Sequence, residues 1–397
     1  MTPVYMDNQS TTPVDPRVVE AMLPYLTEHY GNAGSVSHTF GWRAGDAVER
    51  ATESIAKSIG ARPREIVYTS GATESNNLAI FGVCDRRRRK GDHIVSIRTE
   101  HKAVLDPLNR LAERGGFEVT LLDVEPQTGA CPGRIDLDQL CDSIRDDTVL
   151  VSVMMANNEI GTIQPIAEIG RICKQREIVF HCDAAQSVGK LPVDVGQLEV
   201  DLLSFSGHKI YGPRGIGALY VRRRAPQVRL EPQIFGGGQQ LGLRSGTLNV
   251  PGIVGLAVAL ELCAEEMPTE TDRLSELRNR LFAGLSTSLS DVALNGPELV
   301  DPNLRLAGNL NVRFEFVDGE ALMMSMGSLA VSSGSACTSA NPEPSHVLRA
   351  LGLTDDQVRS SLRFGLGRLT TAEDVEFAIR EISGGVERLR KLSSMAK

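Results

Sequence analysis

The sequence predicts an α/β protein whose central sheet is mostly parallel, with helices on both faces. Short apolar runs, at residues 66–69, 94–97, 118–122 and 149–154, alternate with segments of helical spacing. Such alternation is typical of βαβ units, whose strands are parallel. Polar residues follow several of these runs, and ligands of parallel sheets bind at the carboxyl ends of the strands. No glycine-rich nucleotide loop follows a strand, so nucleotide-binding folds lose their main support.

The elements fall into two regions. Predicted helices of the first region lie near residues 17–26, 42–59, 104–113 and 137–144, and further strands lie at 178–182 and 200–205. A long helical region, 253–289 with a break at Met267-Pro268, leads into the second region. Its predicted elements are strands 310–316, 330–333 and 361–367 and helices 319–326 and 371–390. We therefore predict a large domain over residues 16–252 and a smaller α+β domain formed by residues 1–15 and 253–397.

Composition limits the possible partners. The chain has 397 residues, enough for one large core and a smaller one, and its formal net charge of -8 argues against nucleic acid as a direct partner. No apolar run is long enough to span a bilayer, and the first residues are unlike a signal peptide. Seven cysteines without Cys-x-x-Cys spacing argue against a disulfide framework or a zinc site. We expect a cytoplasmic protein without a membrane partner.

Lys209 lies just after the predicted strand 200–205, with Ser206 and His208 beside it. A desolvated lysine amine can act as a nucleophile, and hydroxyl and imidazole donors suit a phosphate. This combination predicts a pyridoxal 5'-phosphate site, in which the lysine forms an imine with the cofactor aldehyde. Taken alone, Lys209 would be interpreted as a solvated loop lysine.

Asp183 follows the predicted strand 178–182 in the same way. A carboxylate there can pair with the protonated pyridine nitrogen of the cofactor and keep the ring an electron sink. Gln186 could reach the phenolic oxygen of the ring. An isolated aspartate at a strand end would be an ordinary turn residue. Asp183 and Lys209 at the ends of neighbouring parallel strands would instead share one site.

Two further segments suit the same cofactor. A small-residue turn at Ser70-Gly71 opens a helix, and the backbone N–H groups of Ala72 and Thr73 at its start would bind the phosphate. The plain alternative is an N-cap without a ligand. His101 follows the strand 94–97; its ring can stack on a pyridine ring and its pKa suits proton transfer near neutrality.

The runs DAAQS at 183–187 and SGHK at 206–209 resemble the fold-type I pyridoxal phosphate enzymes of the class V aminotransferase group, and within it the cysteine desulfurases of the NifS/IscS type. The likeness extends from Asp7 to about Arg390, and it implies a sheet of seven strands in the large domain. A loop of small residues, about 332–343, contains Cys337 and resembles the catalytic-cysteine loop of group I desulfurases. Little apolar cover surrounds this thiol, so we expect it to be exposed and reactive.

This resemblance implies conversion of L-cysteine to L-alanine. Lys209 would bind the cofactor and then remove the α proton, while Arg363 would fork onto the substrate carboxylate. The Cys337 thiolate would take the sulfur as a persulfide, and His101 would assist as a proton donor or acceptor.

Other site residues carry over from the family more loosely. Asn32 would lie near the substrate carboxylate, and Asn158 would hydrogen-bond the phenolic oxygen of the cofactor. Thr247 would reach the phosphate of the neighbouring subunit, which implies a homodimer with shared sites. No resident metal is expected, although Cys337 is a candidate ligand of a transferred iron–sulfur cluster.

The resemblance also implies a protein partner. The persulfide would pass to a sulfur acceptor or an iron–sulfur scaffold protein, for cluster assembly or for thiolation of tRNA and cofactors. Two alternatives stay open. One is another class V activity, an aminotransferase or a selenocysteine lyase, in which Cys337 is incidental. The other is a non-catalytic sulfur-relay role, against which Lys209 and Asp183 argue.

Overall fold

The computed structural model describes residues 3–114, 116–333 and 344–395, with side chains described as far as residue 392. The strands in this part of the chain are β1 (Val4–Tyr5), β2 (Ile66–Thr69), β3 (His93–Ile97), β4 (Glu118–Leu122), β5 (Thr148–Ser152), β6 (Val179–Asp183), β7 (Leu202–Ser206), β8 (Gly217–Val221), β9 (Val292–Leu294), β10 (Asn309–Phe314), β11 (Leu329–Ala330), β12 (Ser332–Ser333) and β13 (Ser361–Gly365). The helices in the same residues are α1 (Pro16–Thr27), α2 (Thr39–Ser58), α3 (Ala72–Arg87), α4 (Lys102–Glu113), α5 (Leu137–Ser143), α6 (Ile166–Gln175), α7 (Val250–Ser288), α8 (Gly319–Ser325), α9 (His346–Ala350), α10 (Asp355–Arg359) and α11 (Ala372–Met395).

The central sheet has seven strands in the order β2-β8-β7-β6-β5-β3-β4. The pairs β3–β4, β3–β5, β5–β6 and β6–β7 are parallel, while β8 runs antiparallel to β2 and β7. The predicted α/β class with a mostly parallel sheet is therefore confirmed. Strands β3, β5, β6 and β7 are buried along their whole length, because helices cover both faces of a parallel sheet.

Neighbouring strands bring the two key polar residues to one edge. Strands β6 and β7 are parallel, with Asp183 in register with Ser204. Asp183 is the last residue of β6, and Lys209 ends a 3₁₀ turn, Gly207–Lys209, that follows β7 directly. The predicted placement of Asp183 and Lys209 at the ends of adjacent parallel strands is confirmed.

A second sheet has the order β12-β13-β10-β9, and β1 pairs separately with β11. An apolar cluster beside it includes Met6, Leu281, Phe314, Phe364 and Ile382. The N-terminal segment therefore packs with residues from the last third of the chain, as the predicted smaller domain requires. The proposed boundary at residues 252 and 253 stays a prediction.

The predicted break at Met267-Pro268 is wrong, because α7 continues through Pro268. Proline removes one backbone donor from a helix, but the residues on either side are fixed by packing. Leu260 belongs to the core of the central sheet, and Leu281 belongs to the core of the second sheet. One helix therefore spans both cores. Within the described residues, each helix is too short or too polar to cross a bilayer.

Candidate active site

A cavity of about 550 Å³ opens where the central strands end. Most of the residues predicted from the sequence to hold a cofactor or a substrate line it: Ala72, Thr73, His101, Asn158, Asp183, Gln186, Ser206, His208, Lys209 and Arg363. They come from both sheets and from positions far apart in sequence. The structure thus brings together residues that the sequence indicated one by one.

The Lys209 amine is held by the N-terminal segment of the chain. Its Nζ donates to the backbone carbonyls of Gln9 and Ser10, each over 2.6 Å. The 3₁₀ turn that carries Lys209 is fixed to the same segment, since the amide and the hydroxyl of Thr12 both donate to the His208 carbonyl. No local pattern predicts a role for Gln9 or Ser10, because these contacts span about 200 positions of the chain.

Asp183 is buried and held by two donors. Its Oδ2 accepts a hydrogen bond from Asn76 Nδ2 at 2.7 Å, and its Oδ1 accepts one from the Ala185 amide at 2.9 Å. Each carboxylate oxygen has two lone pairs, so both can accept a further donor. Asn76, which the sequence analysis missed, is a fully buried polar residue among apolar neighbours of α3. The sequence signal that could have identified it is helical spacing, since Asn76 precedes the buried Ala79, Ile80 and Val83 by three, four and seven residues.

The start of α3 forms an anion cradle. Gly71 precedes the helix without a side-chain cap, and no acceptor within the described residues takes the amide protons of Ala72 or Thr73. Such amides and the helix dipole favour an anion. Ser206 closes the other side: a Cβ on Gly71 would lie 3.4 Å from Ser206 Oγ.

His208 is neutral beside this cradle. Burial, followed by the positive charges of Lys209 and Arg214, lowers its pKa to about 4. Its Nδ1 lies 3.1 Å from the hydroxyl of Thr11. Arg214 also lines the cavity, although the sequence analysis did not select it. A neutral imidazole can still donate one hydrogen bond, and Arg214 adds a cation for an anionic ligand.

His101 is the N-cap of α4, and its Nδ1 accepts a hydrogen bond from the Ala103 amide at 3.0 Å. The neutral ring therefore carries its proton on Nε2. Burial lowers the pKa of His101; Lys209 and His346 act in the same direction, and Asp183 opposes them. His101 is thus a neutral ring with one N–H available for donation.

Arg363 lies in β13 with its guanidinium buried. Its Nη2 donates to Asp7 Oδ1 and to Ser10 Oγ, each over 2.7 Å, and its Nη1 donates to the Asn158 carbonyl at 3.2 Å. Its Nε is buried and has no partner within the described residues. Because Arg363 also lines the cavity, its guanidinium suits a carboxylate ligand there.

Glu100 is a second buried carboxyl group near Asp183. Burial, and then the charge of Asp183, raises the pKa of Glu100 well above its usual value. One oxygen accepts the Met154 amide, and the other is buried without a partner in the described residues. Burial beside Asp183 therefore favours the protonated, uncharged form of Glu100.

Two predicted residues lie away from this cavity. Asn32 is exposed, and its Oδ1 accepts the Gly34 amide at 2.9 Å. Thr247 is also exposed, on a loop fixed to the start of α3 by the ion pair between Arg244 and Glu74, 2.8 Å long. Their roles toward substrate and phosphate stay predictions.

Residues 334–343 of the predicted cysteine loop, which include Cys337, lie outside the described residues. The residues on either side are described. Ser332 pairs with Arg363 across β12 and β13. Ser345 donates to Glu159, and His346 Nε2 lies 2.8 Å from the Glu100 carbonyl. Both flanks therefore contact elements that carry residues of the cavity.

Comparisons with known proteins agree on one family. The family model described as Aminotransferase class-V matches residues 4–377. Proteins named Cysteine desulfurase IscS from Anaeromyxobacter dehalogenans (strain 2CP-C) and Escherichia coli O139:H28 (strain E24377A / ETEC) are 56% and 55% identical to this chain, and each alignment covers 99% of this chain and 95% of the relative.

Solved structures give the same result. One described as a NifS-like protein superposes with a TM-score of 0.87 at 37% identity, covering 96% of this chain and 99% of that chain. Another, described as SspA in complex with cysteine, has a TM-score of 0.78 at 38% identity and covers 91% of this chain and 98% of its own.

Proposed function

This chain belongs to the aminotransferase class-V family, and on that premise we propose that its reaction takes place in the cavity that contains Lys209 and Arg363. The chain is a cysteine desulfurase, as are its full-length relatives of the IscS type at about 56% identity. The family depends on pyridoxal phosphate. The roles that we assign to individual residues in this reaction are our proposal.

The residues of the cavity fit this cofactor. The amides at the start of α3, which have no acceptor within the described residues, suit its phosphate together with Ser206 and His208. Asp183 retains lone pairs for a pyridinium N–H. Asn158 and Gln186 also line the cavity and are candidates for its phenolic oxygen. When bound, the cofactor would supply an electron sink for charge that develops at the substrate α carbon.

One observation carries the assignment: Lys209 and Arg363 both donate to Ser10. An α-amino acid presents its reacting α carbon directly beside its carboxylate. An amine and a guanidinium that meet at one residue can therefore act on the two parts of the same substrate. Arg363 lines the cavity, so its guanidinium can also donate to a carboxylate there.

Each residue then has one task. Arg363 binds the carboxylate of L-cysteine and fixes its orientation. Lys209 Nζ takes the proton from the α carbon. His101 acts as a proton donor through Nε2, the ring nitrogen that carries the proton when the ring is neutral.

Cys337 completes the reaction as the sulfur acceptor. Its thiolate attacks the substrate sulfur, and the carbon–sulfur bond breaks with its electron pair passing to the carbon fragment. Two protons, the one that Lys209 took from the α carbon and the one that the Cys337 thiol released on ionising, then complete L-alanine, and the sulfur stays on Cys337 as a persulfide. A sulfur-acceptor or scaffold protein then takes the persulfide sulfur, in a cytoplasmic pathway of iron–sulfur cluster assembly or of tRNA and cofactor thiolation.

We further propose that two copies of the chain share their sites. An exposed apolar group, Tyr30, Val36, Phe40 and Trp42, lies after α1, with the Tyr30 and Phe40 rings 5.5 Å apart. Exposed apolar patches mark interfaces, and the loop with exposed Phe235 and Leu241 offers more such surface. Thr247, on that loop, would reach the phosphate in the partner's cavity.

Product analysis tests this function. The purified protein, loaded with pyridoxal phosphate and given L-cysteine and a thiol reductant, should release L-alanine and sulfide in equal amounts. Lys209→Ala should release neither. Formation of a keto acid instead of alanine would favour the aminotransferase alternative and contradict the proposal.

A further inference from the structure

A second cavity, of about 50 Å³, adjoins the first. Gln9 and Lys209 line both cavities, so these two residues form part of the wall between them. Lys190, Cys263 and Glu270 face the second cavity, and no step of the proposed reaction uses them. A second lysine therefore lies directly behind the reacting one.

Hydrogen bonds connect Lys190 to the reaction site. Its Nζ donates to Gln186 Oε1 over 2.9 Å, and Gln186 Nε2 donates to the Gln9 carbonyl over 2.9 Å. The same carbonyl accepts the Lys209 amine at 2.6 Å. The two lysine amines thus contact opposite ends of one short unit made of Gln186 and Gln9.

This arrangement fixes the orientation of the Gln186 amide. A lysine ammonium only donates and a backbone carbonyl only accepts, so the amide oxygen faces Lys190 and the nitrogen faces Gln9. The nitrogen carries two hydrogens, and Gln9 takes one. Gln186 lines the larger cavity, and within the described residues its Nε2 donates to Gln9 alone.

The surroundings of Lys190 make this contact sensitive to pH. Burial, followed by the charge of Lys209, lowers the pKa of the Lys190 amine to about 7; Cys263 and Glu270 oppose the shift, and Arg363 adds to it. Lys190 therefore changes charge near neutral pH. Its charged form is the stronger donor to Gln186.

We propose that Lys190 is a positioning residue for the desulfurase reaction, and that its amine holds the Gln186 amide with an N–H toward the phenolic oxygen of the bound cofactor. This inference rests on the proposed function, since the acceptor belongs to the cofactor. A donor at that oxygen stabilises its anionic form. The donor therefore lowers the pH at which the visible absorbance of the loaded protein titrates.

The test is a pH titration of the visible band in wild type, Lys190→Met, Gln186→Leu and the double variant, each loaded with pyridoxal phosphate. Methionine keeps the length and the apolar stem of lysine but cannot donate. We expect Lys190→Met to raise the midpoint by about one pH unit, which matches the loss of one hydrogen bond to a charged group. Gln186→Leu should raise it similarly, and the double variant should shift no further than Gln186→Leu alone.

Control variants distinguish a wrong role for Lys190 from a wrong proposed function. Lys57→Met removes an exposed lysine and should leave the midpoint unchanged. If Lys190→Met does not fold, Lys190→Arg replaces it: a guanidinium always donates, so its midpoint should not exceed that of wild type. An unmoved midpoint in Lys190→Met, a further shift in the double variant or a raised midpoint in Lys190→Arg contradicts the role of Lys190. Wild-type protein that shows no visible band with the cofactor contradicts the proposed function itself.

Discussion

The Lys209 amine and the Arg363 guanidinium meet at Ser10, one at its carbonyl over 2.6 Å and the other at its hydroxyl over 2.7 Å. Lys209 follows a strand of the central sheet, whereas Arg363 lies in the second sheet. The N-terminal segment therefore joins the two halves of the site. This junction explains why residues 7–12, although far from both in sequence, determine where the amine and the guanidinium lie.

Arg363→Lys tests the carboxylate contact. Lysine keeps the charge but loses the planar fork of donors, so KM for L-cysteine should rise about tenfold to a hundredfold, while cofactor affinity stays unchanged. Steady-state kinetics and cofactor titration measure the two quantities. Arg280→Lys, an exposed arginine paired with Glu376, is the matched control. Equal loss of cofactor and substrate binding in Arg363→Lys would contradict a role specific to the carboxylate.

Lys209→Ala tests covalent attachment of the cofactor. The wild-type protein should be yellow, with a visible band that borohydride bleaches. The variant should lose covalent attachment yet still bind free cofactor, because the amides of α3, Ser206, His208 and Asp183 remain. Mass spectrometry after borohydride treatment locates the adduct. An adduct on Lys190 would show that Lys190, and not Lys209, is the residue that binds the cofactor covalently.

Glu100→Gln tests the protonation state of the buried carboxyl group. The raised pKa means that the folded protein keeps a proton which the unfolded chain releases above about pH 4.3. Stability that depends on Glu100 is therefore complete at low pH and falls as the pH rises toward the pKa of the folded state. Glutamine cannot ionise, so the Tm of the variant relative to wild type should rise as the pH increases above about 4.3, the unfolded-state pKa, toward the raised pKa of the folded state.

The desulfurase activity of the same Glu100→Gln variant should be measured beside its Tm. Since glutamine mimics the protonated form that burial of Glu100 favours, Glu100→Gln should retain most activity, whereas Asp183→Asn should lose nearly all of it. A Tm difference between Glu100→Gln and wild type that does not change with pH would show that Glu100 is ionised in the folded protein.

Thr247→Val tests the shared site. Loss of a hydroxyl contact to the phosphate of the partner's cofactor should weaken cofactor affinity about tenfold, while Thr128→Val, at an exposed turn, should have no effect. Sedimentation velocity gives the assembly state of the same samples. An active, cofactor-loaded monomer at micromolar concentration would refute both the dimer and the role of Thr247.

Local patterns were sufficient to predict part of the site. Asp183 and Lys209 could be identified because each follows an apolar strand, and parallel neighbours place their ends at one edge. The start of α3 could be identified from a small-residue turn before a helix. In each case the signal lies within a few residues of the functional group.

The rest depends on contacts between distant segments. Gln9 and Ser10 hold Lys209 across about 200 positions, and no pattern near either residue indicates this. The sequence places Glu100 after a strand but does not show that the carboxyl group is buried. The continuity of α7 through Pro268 likewise comes from two cores that anchor its halves, which local helix propensity cannot reveal.

Transfer of sulfur to Cys337 is the central claim, and intact-mass analysis after addition of L-cysteine tests it most directly. A serine hydroxyl is far less ionised than a thiol and cannot carry a persulfide. Cys337→Ser should therefore still bind the cofactor and show a spectral change with L-cysteine, but release almost no alanine. Wild type should gain the mass of one sulfur atom and Cys337→Ser should gain none. Turnover by Cys337→Ser at nearly the wild-type rate would contradict the account and favour another class V activity.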